Sequence, residues 1–268
     1  MEESLDKLDS NKKSFKNKSL ESIKAKIESI AFPAPKPSYT ESHKNLKFIT
    51  SEDSKIACMF YKVIDSDLII LYSHGNGCDI GQMDTFLSKL STDLKINIIS
   101  YDYEGYGLSK INKPSETGCI KSINVVYNHL LTSGYESNKI ILYGTSIGSG
   151  PTTDLAFKTE HKFKGILLQS PFTTAVSTVP SALKLIFQFN KTNSPDIFKN
   201  IEKIDKICVP IVIIHGKQDK IVPYSHSIEL QKANKSIKLI EIEDADHNNI
   251  ENKYYDVLFY NMLDLINT

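Results

Sequence analysis

A chain of 268 residues with 40% hydrophobic and 24% charged residues can bury one sizeable core and falls in the range of a single large α/β domain. Its 32 cations, all lysine, balance 32 carboxylates, so nothing suggests a nucleic-acid footprint or a polybasic membrane patch, and the lack of arginine removes bidentate phosphate clamps. The four cysteines, Cys58, Cys78, Cys119 and Cys208, form no C-x-x-C pair and no Cys/His ligand spacing, so neither a metal, a disulfide framework nor a cofactor is expected.

Residues 1–18 are charged, rich in Ser, Asn and Lys and poor in apolar residues, the composition of a disordered polar tail. Leu20, Ile23, Ile27 and Ile30 then recur at three- and four-residue steps, predicting an amphipathic helix that "FPAPKP" ends. Residues 19–45 thus read as a helix and Pro-rich connector whose apolar stripe packs on the domain, a membrane-surface role being the other reading. With no secretory apolar region and no spanning run, the chain reads as soluble and cytoplasmic.

From residue 46 to 268 the pattern is that of one catalytic-size domain. "LKFITSEDSKIACMFYKV" holds two β-rich runs around the turn "SEDS", suited to an antiparallel start. Six continuous apolar runs follow, at 68–73, 96–101, 139–144, 165–170, 210–216 and 236–243, with helical patterns near 82–94, 117–132, 148–158, 223–233 and 251–266. Continuous hydrophobicity marks strands covered on both faces, so the expected class is α/β with a mostly parallel sheet. The motifs "SHGNG", "YDYEGYG", "GTSIG", "SPF", "HGKQD" and "DADH" each follow one of these runs. Ligands of open α/β sheets bind outside the carboxyl ends of the strands, so the motifs should converge in one crevice.

Gly144-Thr145-Ser146-Ile147-Gly148, between a buried strand and a helix, has the pattern of a nucleophile elbow. A serine hydroxyl needs a base to take its proton and an acid to hold that base. In the order Ser, acid, His, the candidates are Asp219 in "IIHGKQDKIVP" and His247 in "EIEDADHNNIE". Asp244 and Asp246 are rival acids, but a residue so close to the histidine in sequence does not readily fold back onto its ring. The backbone N–H groups of Ile147 and of Asn76, in "HGNG", are the candidate oxyanion donors. His74 and His215 read as structural, and Asp102 and Glu104 as residues that shape a loop near the site. "GTSIGSGPTT" lacks the lysine of a Walker loop and the third glycine of a dinucleotide fingerprint.

Together "SHGNGCDIGQM", "YDYEGYG", "ILYGTSIGSGPT", "QSPFTT", "HNNIE" and, upstream, "IAFPAPKPSYT" and "SKIACMF" resemble the α/β-hydrolase domain-containing protein 17 family. The resemblance runs from about residue 30 onward and implies an α/β-hydrolase fold with antiparallel N-terminal strands. It also implies a serine hydrolase that removes S-palmitoyl groups from membrane-associated proteins, with Ser146, Asp219 and His247 on its catalytic positions. Members of that family carry an N-terminal cysteine cluster that becomes acylated, whereas residues 1–57 contain no cysteine. A second departure is that Asp244 and Asp246 stand where small residues are usual. The expected substrate is an acylated protein or acyl ester, with peripheral contact to a cytosolic membrane face and no nucleic acid; the sequence is silent on oligomeric state. A lipid or monoacylglycerol esterase, a serine peptidase and a non-catalytic binding protein are the alternatives. The segment 171–200 is a candidate lid, in which Leu183, Ile186, Phe187 and Phe189 suit an acyl groove or the core alike.

Overall fold

A computed structural model describes residues 32–109, 112–159, 162–178 and 196–268. The polar tail, the helix expected over residues 19–30, and Leu183, Ile186, Phe187 and Phe189 lie outside the described residues.

The two β-rich runs form a hairpin, β1 (Leu46–Ser51) and β2 (Ser54–Tyr61), closed where Ser51 pairs with Ser54. The continuous apolar runs become β3 (Ile69–Ser73), β4 (Asn97–Tyr101), β5 (Ile140–Thr145), β6 (Gly165–Gln169), β7 (Ile211–Gly216) and β8 (Lys238–Ile242). They make one eight-stranded sheet of order β1-β2-β4-β3-β5-β6-β7-β8. The β1–β2 and β2–β4 pairs are antiparallel, and all others are parallel.

Neighbouring residues of the inner strands point to opposite cores, which explains the unbroken hydrophobicity. Leu71, Ile99, Leu142, Leu168 and Ile213 face one core, where Ile123 and Val126 of α2 (Glu116–Thr132), Leu155 of α3 (Ser149–Lys158) and Leu230 of α4 (Ser225–Ala233) cover them. Ile70, Ile98, Ile141, Leu167 and Ile214 face the other. There Leu87 and Leu90 of α1 (Asp84–Leu94) and Leu258, Met262 and Leu265 of α6 (Tyr255–Asn267) close the layer.

One helix differs from expectation. The pattern at 251–266 is split into α5 (Ile250–Lys253) and α6, broken at Tyr254 with φ −120° and ψ 29°. The break separates a turn whose Glu251 bonds to Gln169 at 2.7 Å from a helix whose apolar stripe lies on the sheet.

The chain leaves β3 through α1 to β4 on one side, then returns through α2 to β5 on the other. The sheet order reverses there, so the loops after β3 and β5 part and open a crevice at the carboxyl edge.

Candidate active site

At the end of β5 the backbone turns sharply: Ser146 has φ +53°, in the left-handed region, a conformation costing a non-glycine residue about 1–3 kcal/mol. Two glycines make the turn sterically feasible. A Cβ on Gly144 would lie 2.6 Å from the Gly148 carbonyl oxygen, and one on Gly148 would lie 2.2 Å from the Ser73 carbonyl oxygen. A single 3-10 turn, Ser146–Gly148, feeds into α3. Its first N–H groups have no intrahelical acceptor and favour negative charge beside the serine.

The loops after β7 and β8 are drawn together by a close approach of a different kind. Gly216 passes so near Ala245 that a Cβ would sit 2.2 Å from its carbonyl oxygen, and Gln218 N–H donates to the same oxygen at 2.9 Å. Asp219 and His247 follow on these two loops. His247 Nδ1 is 2.6 Å from Asp219 Oδ2, and His247 Nε2 is 2.9 Å from Ser146 Oγ. The carboxylate can only accept, so Nδ1 carries the proton and Nε2 offers its lone pair to the Ser146 hydroxyl.

Asp219 is itself over-determined. Its Oδ1 accepts the N–H groups of Ile221 at 2.9 Å and Val222 at 2.8 Å. Its Oδ2 receives His247 and also lies 3.2 Å from His215 Nε2. Burial alone would raise the carboxyl pKa, but the hydrogen bonds from His215, His247 and the backbone hold it well below the ordinary carboxylate range. His215 is fully buried and is fixed in turn by Ser227 Oγ at 2.6 Å and the Val222 carbonyl at 2.9 Å. The sequence points only to a loop-fixing role for His215, and the structure adds its contact with Asp219. The i, i+4 spacing from the strand end was the available signal. Asp244 and Asp246 are exposed and make no bond to the His247 ring; Asp246 Oδ1 accepts the Asn248 N–H at 2.8 Å.

Asn76 lines the same cleft as Ser146 and His247, and a Cβ on Gly75 would come 3.9 Å from Ser146 Cβ, so this loop abuts the serine. The Asn76 side chain is anchored, its Oδ1 accepting from Tyr106 Oη at 2.8 Å and Gly77 N–H at 3.0 Å. Ile147 follows Ser146 on the 3-10 turn and is buried. Farther along the loop, Asp102 at the end of β4 accepts the Ile80 N–H at 3.0 Å and the Tyr39 hydroxyl, while Asp79 accepts the Ser38 N–H at 2.6 Å. The Pro-rich connector is thereby tied to the loop that carries Asn76. Glu104 lies away from the cleft, accepting Ser54 Oγ at 2.6 Å and pairing with Lys121 at 3.1 Å.

The cleft measures about 500 Å³. Tyr72, Met83, Phe86 and Ile221 are among its apolar lining, and Gln82, Asn248, Glu251 and Asn252 among its polar lining. Cys78 also lines it, but burial and the charges of Asp79 and Asp102 push its thiol up to about 12, so it offers no thiolate near neutral pH. Among the described residues no group of three or more His, Cys, Asp or Glu is arranged to hold a metal ion, and no helix is long and apolar enough to cross a membrane.

A family model described as serine aminopeptidase, S33, matches residues 65–200, a window that includes Ser146. Alpha/beta hydrolase domain-containing protein 17B of Xenopus laevis is 38% identical over 206 residues, covering 75% of this chain and 68% of that protein. The Homo sapiens protein of the same name is 37% identical with the same coverage. Among solved structures, an esterase of Pyrococcus furiosus superposes with a TM-score of 0.67 at 16% identity, over 88% of this chain and 98% of that one, a likeness of fold.

Proposed function

The chain belongs to the alpha/beta hydrolase domain-containing protein 17 family and is a hydrolase, and from that premise we propose that it cleaves esters and thioesters through an acyl-Ser146 intermediate, acting as a palmitoyl-protein thioesterase. The observation that carries the reading is the hydrogen-bond line from Ser146 Oγ through His247 to Asp219, at 2.9 and 2.6 Å, opening into a cleft.

In this mechanism His247 Nε2 takes the Ser146 proton as Oγ attacks the acyl carbon. The carbonyl oxygen becomes an oxyanion, met by the N–H groups of Ile147 and Asn76. Asp219, kept ionised, stabilises the imidazolium and fixes its tautomer. His247 then returns the proton to the departing thiolate or alkoxide, and a water activated by the same nitrogen releases the acid and restores Ser146. A thiol with a pKa near 8.5 leaves with little help, so a cysteine thioester makes the least demand on this step. The apolar lining residues Tyr72, Met83, Phe86 and Ile221 support an acyl chain as the bound group. We place the reaction at proteins acylated on the cytosolic face of a membrane, reached by peripheral contact.

The family model's description favours a second reading, amide hydrolysis at the same serine. A fluorophosphonate probe should label the wild type and leave Ser146→Ala unlabelled; a folded wild type that does not label sinks both readings. An S-palmitoyl peptide, a monoacylglycerol and an aminoacyl amide, compared by kcat/KM, then separate thioesterase from lipase and peptidase.

A further inference from the structure

Within the cleft that holds Ser146 and His247, Glu251 is the only carboxylate among the described lining residues. It is held from beneath by two buried side chains of the sheet. Tyr143 on β5 donates its hydroxyl to Gln169 Oε1 at 2.6 Å, and Gln169 at the end of β6 donates Nε2 to Glu251 Oε1 at 2.7 Å. This relay fixes the carboxylate from one side only. Among the described residues nothing donates to its second oxygen, and no cation pairs with it. Lys253, two residues on, has its ammonium 5.1 Å from the Tyr254 ring centroid. Lys220 lines an adjoining hollow that shares Ile221, His247 and Asn248 with the cleft and also holds Gln218 and Asp246.

A carboxylate on a half-buried cleft wall, with one oxygen engaged and no counter-ion, is an acceptor for a cation supplied from outside. Asn248 and Asn252, which line the same cleft, add neutral acceptors that suit an ammonium group with its three donors. We propose that Glu251 is a subsite for a protonated amine of the substrate, so that the enzyme selects acylated peptides carrying a lysine beside the acylated residue. The inference rests on the reading of Ser146 as the acyl-accepting group.

The test uses the full chain and three peptides with the same S-acyl cysteine, flanked by lysine, by norleucine as its neutral counterpart, or by glutamate. The wild type should favour the lysine peptide over the norleucine one by about tenfold in kcat/KM, the size of a hydrogen bond to a charged group. The preference should sit mainly in KM, shrink as salt is added, and the glutamate peptide should be the poorest. Glu251→Gln should bring the lysine-to-norleucine ratio close to one, and Glu251→Lys should reverse the order of the lysine and glutamate peptides. A wild-type ratio within about twofold of one, or a ratio unchanged in Glu251→Gln, overturns the proposal while fluorophosphonate labelling of Ser146 leaves the hydrolase reading intact. A folded wild type that neither labels nor turns over any of the peptides overturns both.

Discussion

Asp219→Asn isolates the role of the acid, because the two side chains have the same shape. The aspartate accepts at four points: the N–H groups of Ile221 and Val222 on Oδ1, and the two histidines on Oδ2. An asparagine has a single oxygen, and the two backbone donors at 2.9 and 2.8 Å hold it at the Oδ1 position. The amide NH2 must then face His247 Nδ1. The ring answers by presenting a lone pair at Nδ1 and moving its proton to Nε2, against the Ser146 hydroxyl, where it can no longer act as a base. Loss of the required tautomer lowers kcat by about 10³- to 10⁴-fold. The loss of a charge-assisted hydrogen bond, offset in part by the lighter desolvation of a neutral group, costs about 1–3 kcal/mol of stability. Steady-state turnover of a neutral thioester, run beside urea unfolding, measures both. Asp244→Asn and Asp246→Asn, at exposed positions without contact to the ring, should change kcat less than about twofold. Full activity in Asp219→Asn with its loss in Asp244→Asn or Asp246→Asn would refute the assignment.

Gly148→Ala should misfold or displace the elbow, since its methyl would meet the Ser73 backbone oxygen at 2.2 Å; a loss of 3 kcal/mol or more, about the upper range for overpacking, is expected in thermal unfolding, together with a fall in fluorophosphonate labelling. Tyr39→Phe removes the hydroxyl that Asp102 accepts, leaving a buried carboxylate oxygen short of a donor, for a cost of about 1–3 kcal/mol; limited proteolysis should cut faster near residues 75–83. Asp219 is held below its ordinary pKa in the folded state, so its contribution to stability is complete above the unfolded carboxylate value of about 3.9 and is lost as pH falls below it. The gap between the urea midpoints of wild type and Asp219→Asn should therefore stay constant from pH 6 to about pH 4 and begin to narrow as pH falls toward about 3.

The layering of this molecule was legible because five adjacent residue pairs, from Ile70-Leu71 to Ile213-Ile214, feed two cores at once, and only a sheet covered on both faces needs such runs. The hairpin at "SEDS" was legible for a similarly local reason: Ser51 and Ser54 flank a two-residue turn. That Ser146, Asp219 and His247 would meet could be read from chain order, since the loops of a parallel sheet share one edge. What was not legible depends on side chains meeting across the fold. The Tyr39–Asp102 bond joins residues 63 positions apart, and the Gln169–Glu251 bond joins residues 82 apart; neither leaves a periodic trace in the sequence. The same holds for the break at Tyr254, where continuous apolar spacing conceals an interruption of the helix.

The reach from Ser146 to His247 spans 101 positions, and this gives the site a history as well as a geometry. A chain made at 5–20 residues per second emerges with its elbow sequence about 5–20 s before its histidine. Until β8 and its loop are added, the serine lacks both the histidine and the aspartate that the proposed mechanism gives it, because Asp219 also comes late. On the proposed mechanism a growing chain thus carries an inert hydroxyl, and Ser146 gains its partners only when the loop after β8 has been synthesised.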